Sequence, residues 1–211
     1  MSGEAILAPL REVWALGGPV VALLIAVSVV TLALVLAKIW QFRAAGVGQH
    51  RALRQALGQW DGGEARAALG SLAGSPSYLA AVLRLGVEGA PARRLEAEAE
   101  ARFAQLERGF RLLDSVAQLA PLLGLFGTVL GMIEAFQALQ EAGAQVDPSA
   151  LAGGIWVALL TTAVGLAVAM PTSLALSWFE GRMQAERVLA DEAIARLTAP
   201  AQPAGALARA G

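Results

Sequence analysis

Thr128 is the one hydroxyl in the middle of an uncharged run, Ser115 to Ile133, and Thr161 and Thr162 sit in the middle of another, Pro148 to Phe179. A hydroxyl both donates and accepts, so it can pass a proton to water or help hold a small cation. On a helix, Asp114, Gln118, Pro121, Leu125 and Thr128 share one stripe. A polar group every turn or so, with apolar neighbours between, suits a narrow proton path. Thr128 also has a plainer option, a bond back to the carbonyl of its own preceding turn. Thr162, Gly165, Ala169, Thr172 and Ser173 form a second small or polar stripe. Thr161 points about 100° away from Thr162, so one of the pair can back-bond while the other faces a cavity. Gly124, Gly127 and Gly131 recur at i, i+3 and i+7. They share one face and let a neighbouring helix approach closely.

Other chemistries lack their residues. Cysteine is absent and histidine occurs once, at His50, which excludes disulfides, thiol nucleophiles and multi-histidine metal sites. No nucleophile–base pair or nucleotide loop is present, so neither an enzyme nor a cofactor or metal is expected. The net charge of −1 argues against a nucleic-acid partner.

The elements that must position these residues follow from the charges. Of 211 residues, 56% are hydrophobic and only 16% charged, against roughly 25% charged in an average soluble domain. A bilayer core about 30 Å thick needs about 20 apolar residues of helix. Val13 to Ala37 is a third uncharged run. The runs predict membrane-spanning helices over 17–39, 114–138 and 154–178, with membrane lipid around them. Acidic Glu4 and Glu12 precede the first run, which reads as a retained helix rather than a cleaved signal. Residues 1–12 carry one Lys or Arg, 38–114 carry eleven, 134–147 none and 180–211 four. Basic segments stay in the cytoplasm. The expected topology has a periplasmic N-terminal segment (1–16), a periplasmic loop (139–153) and a cytoplasmic C-terminus.

Between the first two spans, 40–113 reads as a cytoplasmic helical region. Its breakers are Asp61-Gly62-Gly63, Gly74-Ser75-Pro76 and Gly89-Ala90-Pro91. After Pro91, apolar Leu95, Phe103, Leu106, Phe110 and Leu113 recur at threes and fours. That spacing predicts an amphipathic helix running unbroken into the second span. The third span is expected to continue as a charged helix over 179–198, and 199–211 reads as a disordered tail. The charges of these extensions read as a solvated face or as the lining of an oligomer's cytoplasmic mouth. The fold class is all-α: three spans, with the second and third extended into the cytoplasm.

Two strings resemble the TolQ/ExbB/MotA proton-channel family, in particular its ExbB and TolQ members. They are Pro121-Leu122-Leu123-Gly124-Leu125-Phe126-Gly127-Thr128-Val129-Leu130-Gly131 and Ala158-Leu159-Leu160-Thr161-Thr162-Ala163-Val164-Gly165-Leu166-Ala167-Val168-Ala169-Met170-Pro171. The resemblance implies a homopentamer in the bacterial inner membrane, its pore lined by the second and third spans. It implies a single-span ExbD/TolR-like partner carrying an intramembrane Asp, and work delivered to a TonB-like or Tol–Pal-like protein. It implies that Thr128 and Thr162 face the partner's aspartate. Gln118, Leu125, Thr161, Gly165, Ala169, Thr172 and Ser173 are candidates for additional lining, and Gly124, Gly127 and Gly131 for close packing. The family's usual glutamate falls on Val157, so no ionisable group lies in the middle of any span and the proton carrier is borrowed. Two other readings stay open: a non-conducting scaffold for a single-span partner, and a relative of the MotA flagellar stator, which generally has a fourth span.

Overall fold

The computed structural model describes residues 4–142 and 148–199. The tip of the expected outer loop and nearly all of the expected tail lie outside the described residues. Among the described residues every element is a helix: α1 (Glu4–Ala44), α2 (Arg51–Asp61), α3 (Ala65–Ala73), α4 (Ala80–Val87), α5 (Ala92–Leu106), α6 (Phe110–Ala142) and α7 (Pro148–Thr198). Three of them contain the uncharged runs and are long and apolar enough to cross a membrane: Gly18–Ala44, Phe110–Glu141 and Leu151–Thr198. The chain is an all-helical membrane protein.

The helices divide into two units. The first holds Met1–Ala37 and Gly109–Trp178. Leu24 of α1, Ala120 of α6, and Val168 and Ala169 of α7 meet at its centre, with Val20, Val27, Val116, Leu123 and Val164 packed around them. Outside that thin core, large apolar side chains face outward, including Val29, Leu32, Leu122, Phe126, Leu159 and Leu174. Helices apolar on all sides need an apolar surrounding. Exposed tryptophans punctuate the runs: Trp40 follows the first, Trp156 opens the third and Trp178 closes it. Tryptophan is enriched at both membrane–water interfaces. On α6, Asp114 and Glu134 are separated by about 30 Å of helix rise, the thickness of a hydrocarbon core. Gly18 interrupts α1 with φ 65° and ψ −167°, so the segment before it leaves in another direction.

The second unit holds Lys38–Arg108 and Phe179–Gly211. Its short helices end at the three predicted breakers. Helix α2 buries Leu53, Ala56 and Leu57, α4 buries Val82 and Leu83, and α5 buries Leu95, Ala99, Phe103 and Leu106. The C-terminal part of α7 adds Phe179, Met183, Glu186, Ala190, Ala193 and Leu197, all buried. Their spacing of fours and threes is the apolar seam of a packed helix. The rings of Phe42 and Phe179 meet edge to face, centroids 5.2 Å apart.

One expectation is corrected. The helix after Pro91 does not run unbroken into the second span. Helix α5 stops at Leu106, and α6 starts anew at Phe110. Gly109 between them has φ 92°, a left-handed conformation that glycine adopts without Cβ strain. Lys38 satisfies the end of α5: its Nζ donates to the Leu106 carbonyl at 2.9 Å and to Gln41 Oε1 at 2.8 Å. A cation there also complements the negative end of the helix dipole.

Candidate functional site

Within the first unit, glycines set the distance between α6 and α7. A Cβ placed on Gly124 would lie 2.8 Å from the Thr161 carbonyl oxygen and 3.0 Å from the Thr162 Cα. On Gly127 it would lie 2.7 Å from the Thr161 Cβ, and on Gly131 3.2 Å from the Ala158 Cβ. From the other side, a Cβ on Gly165 would lie 2.6 Å from the Ala120 carbonyl oxygen. The two backbones therefore touch along an antiparallel seam of small residues.

The seam separates the adjacent threonines. Thr161 is 1% exposed. Its hydroxyl lies 2.7 Å from the Ala158 carbonyl of its own turn and 3.1 Å from the Gly124 carbonyl of α6, so one proton is shared between two acceptors. Thr162, one residue on, is partly exposed, and its hydroxyl has no hydrogen-bond partner among the described residues. Thr128 is also partly exposed and donates to the Leu125 carbonyl at 2.6 Å. Its hydroxyl oxygen keeps lone pairs for another donor.

The remaining candidates divide the same way. Gly165, Ala169 and Thr172 are buried in the packed helices, and Thr172 bonds back to the Val168 carbonyl at 2.7 Å. Gln118, Leu125 and Ser173 are exposed. The stripe expected on α7 is thus split: Gly165, Ala169 and Thr172 turn inward with Thr161, while Thr162 and Ser173 look outward. The cause is the glycine seam, which draws the small face of α7 against α6. Val157 is partly buried. Pro121 and Pro171 lie inside continuous helices, and each leaves the carbonyl four residues earlier without its helical donor.

Sequence reasoning missed a polar cluster in the second unit. Glu186 is fully buried. Its Oε1 accepts from the Gly48 backbone N–H at 2.9 Å and lies 3.0 Å from His50 Nε2, and its Oε2 accepts from the Tyr78 hydroxyl at 3.1 Å. Arg182 Nε stands 4.0 Å away. Burial, and then the Glu186 carboxylate, push the Tyr78 phenol well above its ordinary range. A signal was available, because Glu186 occupies a seam position where every other residue is apolar. Arg187 pairs with Glu107 and Glu100 and lies 4.9 Å over the Phe103 ring. Among the described residues no three acidic or histidine side chains could share a metal.

Comparison with known proteins places this architecture. Over 67 residues, 32% of the chain, it is 46% identical to biopolymer transport protein exbB1 of Vibrio cholerae, of which this covers 29%. Over 81 residues, 38% of the chain, it is 44% identical to a putative ExbB homologue of Methanothermobacter thermautotrophicus, covering 28% of it. Over 80 residues, 38% of the chain, it is 41% identical to the Tol-Pal system protein TolQ of Haemophilus influenzae, covering 35% of it. The chain spans about a third of the length of the curated relatives it matches. Residues 78–192, more than half of the chain, match the MotA/TolQ/ExbB proton channel family. With the whole glycine seam between α6 and α7 inside that match, the chain belongs to the MotA/TolQ/ExbB proton channel family.

Proposed function

We propose that this chain is the ring-forming subunit of a proton-driven motor of ExbB/TolQ type in the bacterial inner membrane. Its N-terminus is periplasmic and its C-terminus cytoplasmic, following the basic residues. Copies of the chain, five by resemblance, surround a pore that holds a single-span ExbD/TolR-like partner. The partner brings the intramembrane aspartate that takes and releases protons, and the work passes to a TonB-like or Tol–Pal-like protein. Thr128 and Thr162 face that aspartate, and Gln118, Leu125 and Ser173 line the approach. Thr161, Gly165, Ala169 and Thr172 serve the packing that holds the wall together.

The observation that carries this reading is the contrast between neighbouring threonines. Thr161 has its hydroxyl proton committed to two carbonyls inside the protein, whereas Thr162 is left open. An uncommitted hydroxyl in an apolar span is costly unless a partner or water meets it. With Val157 at the family's glutamate position, the ring offers hydroxyls and the partner supplies the charge.

The test uses the native complex purified through this chain and reconstituted in vesicles holding a pH-sensitive dye. Thr162→Val should lower proton flux by at least about tenfold, whereas Thr161→Val should stay within about twofold of the wild type. Equal conductance from the chain alone overturns the reading in which the partner carries the proton, and wild-type flux with Thr162→Val takes the threonine out of the path, as the scaffold reading expects.

A further inference from the structure

We infer that Asp114 is the proton acceptor at the inner mouth of the pore, with Gln118 holding it in place. This rests on the pore-facing reading of Thr128 and Thr162, and it gives the chain an ionisable group of its own in the pathway.

The geometry begins at Thr128. Moving toward the start of α6, the exposed Leu125, Gln118 and Asp114 follow on the same side of the helix. Asp114 lies about 40° round from Thr128 and about 21 Å along the axis. The other carboxylate near this span, Glu134, lies about 120° round from Thr128 and so leaves the stripe. Asp114 is the first titratable group that a proton meets on the inward side.

The side chain is poised rather than neutralised. Asp114 is exposed and forms no ion pair among the described residues, although Arg111 stands one turn earlier. Gln118 Nε2 donates to its Oδ1 at 2.7 Å. A carboxylate has room for several donors, so Oδ2 stays available to water. Ser115 does not compete, because its hydroxyl donates to the Arg111 carbonyl at 2.9 Å.

Helix α7 brings hydroxyls to the same level. Gly124 faces Thr161 and Thr162, and Gly165 faces Ala120. Continued by one to two turns, this antiparallel register sets Gln118 beside Ala169 and Asp114 beside Ser173. Ser173 and the next residue of its stripe, Ser177, are both exposed. The inner end of the two pore helices thus presents a carboxylate, an amide and two hydroxyls, where the middle presents only the threonines. Such a rim can hold water.

The proton balance is simple. A proton reaches the rim as hydronium after leaving the partner's carboxylic acid. Oδ2 of the Asp114 carboxylate takes it, leaving water and a neutral carboxylic acid. A mobile buffer base in the cytoplasm then takes the same proton and restores the carboxylate. Without Asp114, each proton must pass straight from a narrow pore to whatever base collides with the mouth.

The experiment is proton flux through the reconstituted complex, with the concentration of imidazole varied on the receiving side. Asp114→Asn should lower flux about tenfold at low buffer and recover to within about twofold at high buffer. Asp114→Glu should behave as the wild type, and Gln118→Ala should give a smaller loss with the same rescue. Asp114→Asn flux equal to wild type at every buffer concentration overturns the assignment. So does a loss in an intact complex that buffer fails to restore, since that is a structural effect. Thr162→Val, measured alongside, should lose flux at all buffer concentrations. If it keeps wild-type flux, the pore reading fails, whatever Asp114→Asn shows.

Discussion

Gly165→Ala tests the glycine seam directly. The added Cβ would stand 2.6 Å from the Ala120 carbonyl oxygen, 3.1 Å from the Gly124 Cα and 3.3 Å from the Gly124 nitrogen. All three are backbone atoms, so no rotamer change relieves the contact. Returning the tightest approach to about 3.4 Å requires the helices to part by about 0.8 Å. Forcing a methyl into a filled interface costs typically about 1–3 kcal/mol. The parting also stretches the 3.1 Å bond from Thr161 to the Gly124 carbonyl beyond hydrogen-bond range, and an interhelical bond in a membrane averages about 0.6 kcal/mol. The sum is about 1.6–3.6 kcal/mol, offset by about 1 kcal/mol of helix propensity that alanine gains over glycine, which leaves about 0.6–2.6 kcal/mol, or a fall of roughly 1–10 °C in Tm for a chain of this size. The control is Gly181→Ala, also within α7, where an added Cβ meets nothing within 4 Å. There alanine should stabilise the helix by about 1 kcal/mol and raise Tm. Thermal unfolding in detergent, followed by tryptophan fluorescence, reads both. If Gly165→Ala unfolds at the wild-type temperature, or if the two variants shift in the same direction, the seam does not hold the spans together.

Two predictions concern the buried cluster. Glu186→Ala removes the acceptor for the Gly48 N–H, His50 and the Tyr78 hydroxyl at a buried position, and should cost about 3–5 kcal/mol. Glu186→Gln should cost clearly less, because an amide oxygen can serve Gly48 and His50 while the amide N–H donates to Tyr78. Chemical denaturation ranks the two, and equal stabilities would refute the network. The chain has one tyrosine, so tyrosinate absorbance reports Tyr78 alone. Its phenol is held protonated in the fold, so its stabilising contribution is present below the ordinary tyrosine pKa of about 10 and is lost as pH rises past it. An alkaline titration should show tyrosinate appearing only with unfolding; reversible ionisation in the folded protein near the ordinary value would contradict the buried geometry.

Much of this architecture is legible in the sequence, because lipid imposes simple demands. Charge-free runs long enough to cross a bilayer have few alternative uses, and each lies in a helix. The breakers at Gly62-Gly63, Gly74 to Pro76 and Gly89 to Pro91 end helices because two or three turn-favouring residues coincide. Gly109 stands alone in an apolar pattern that carries on through Phe110 and Leu113. A single glycine costs a helix only about 1 kcal/mol, so periodicity there outweighed the break. The three seam glycines announced close packing, but which of Thr161 and Thr162 would be enclosed depended on the azimuth of α7, which one sequence does not specify. Glu186 was hidden for another reason. Its partners lie 138 and 108 positions away along the chain, and no local pattern reveals a carboxylate that waits for donors at such a distance.

That separation shapes how the protein is made. The turn bearing Gly48 and His50 leaves the ribosome long before Glu186, with two membrane spans still to be translated. At about 5–20 residues per second, roughly 7–28 s pass before the carboxylate emerges. During that time helices α2 to α5 lack the seam of α7, so Gly86 and Phe103, which meet Leu197 and Arg187, have their cover incomplete. Until α7 arrives, the nascent unit keeps part of its apolar surface uncovered. A truncation ending after the third span should insert into the membrane yet leave its earlier helices open to proteases, which ties the survival of the newborn chain to completion of its C-terminus.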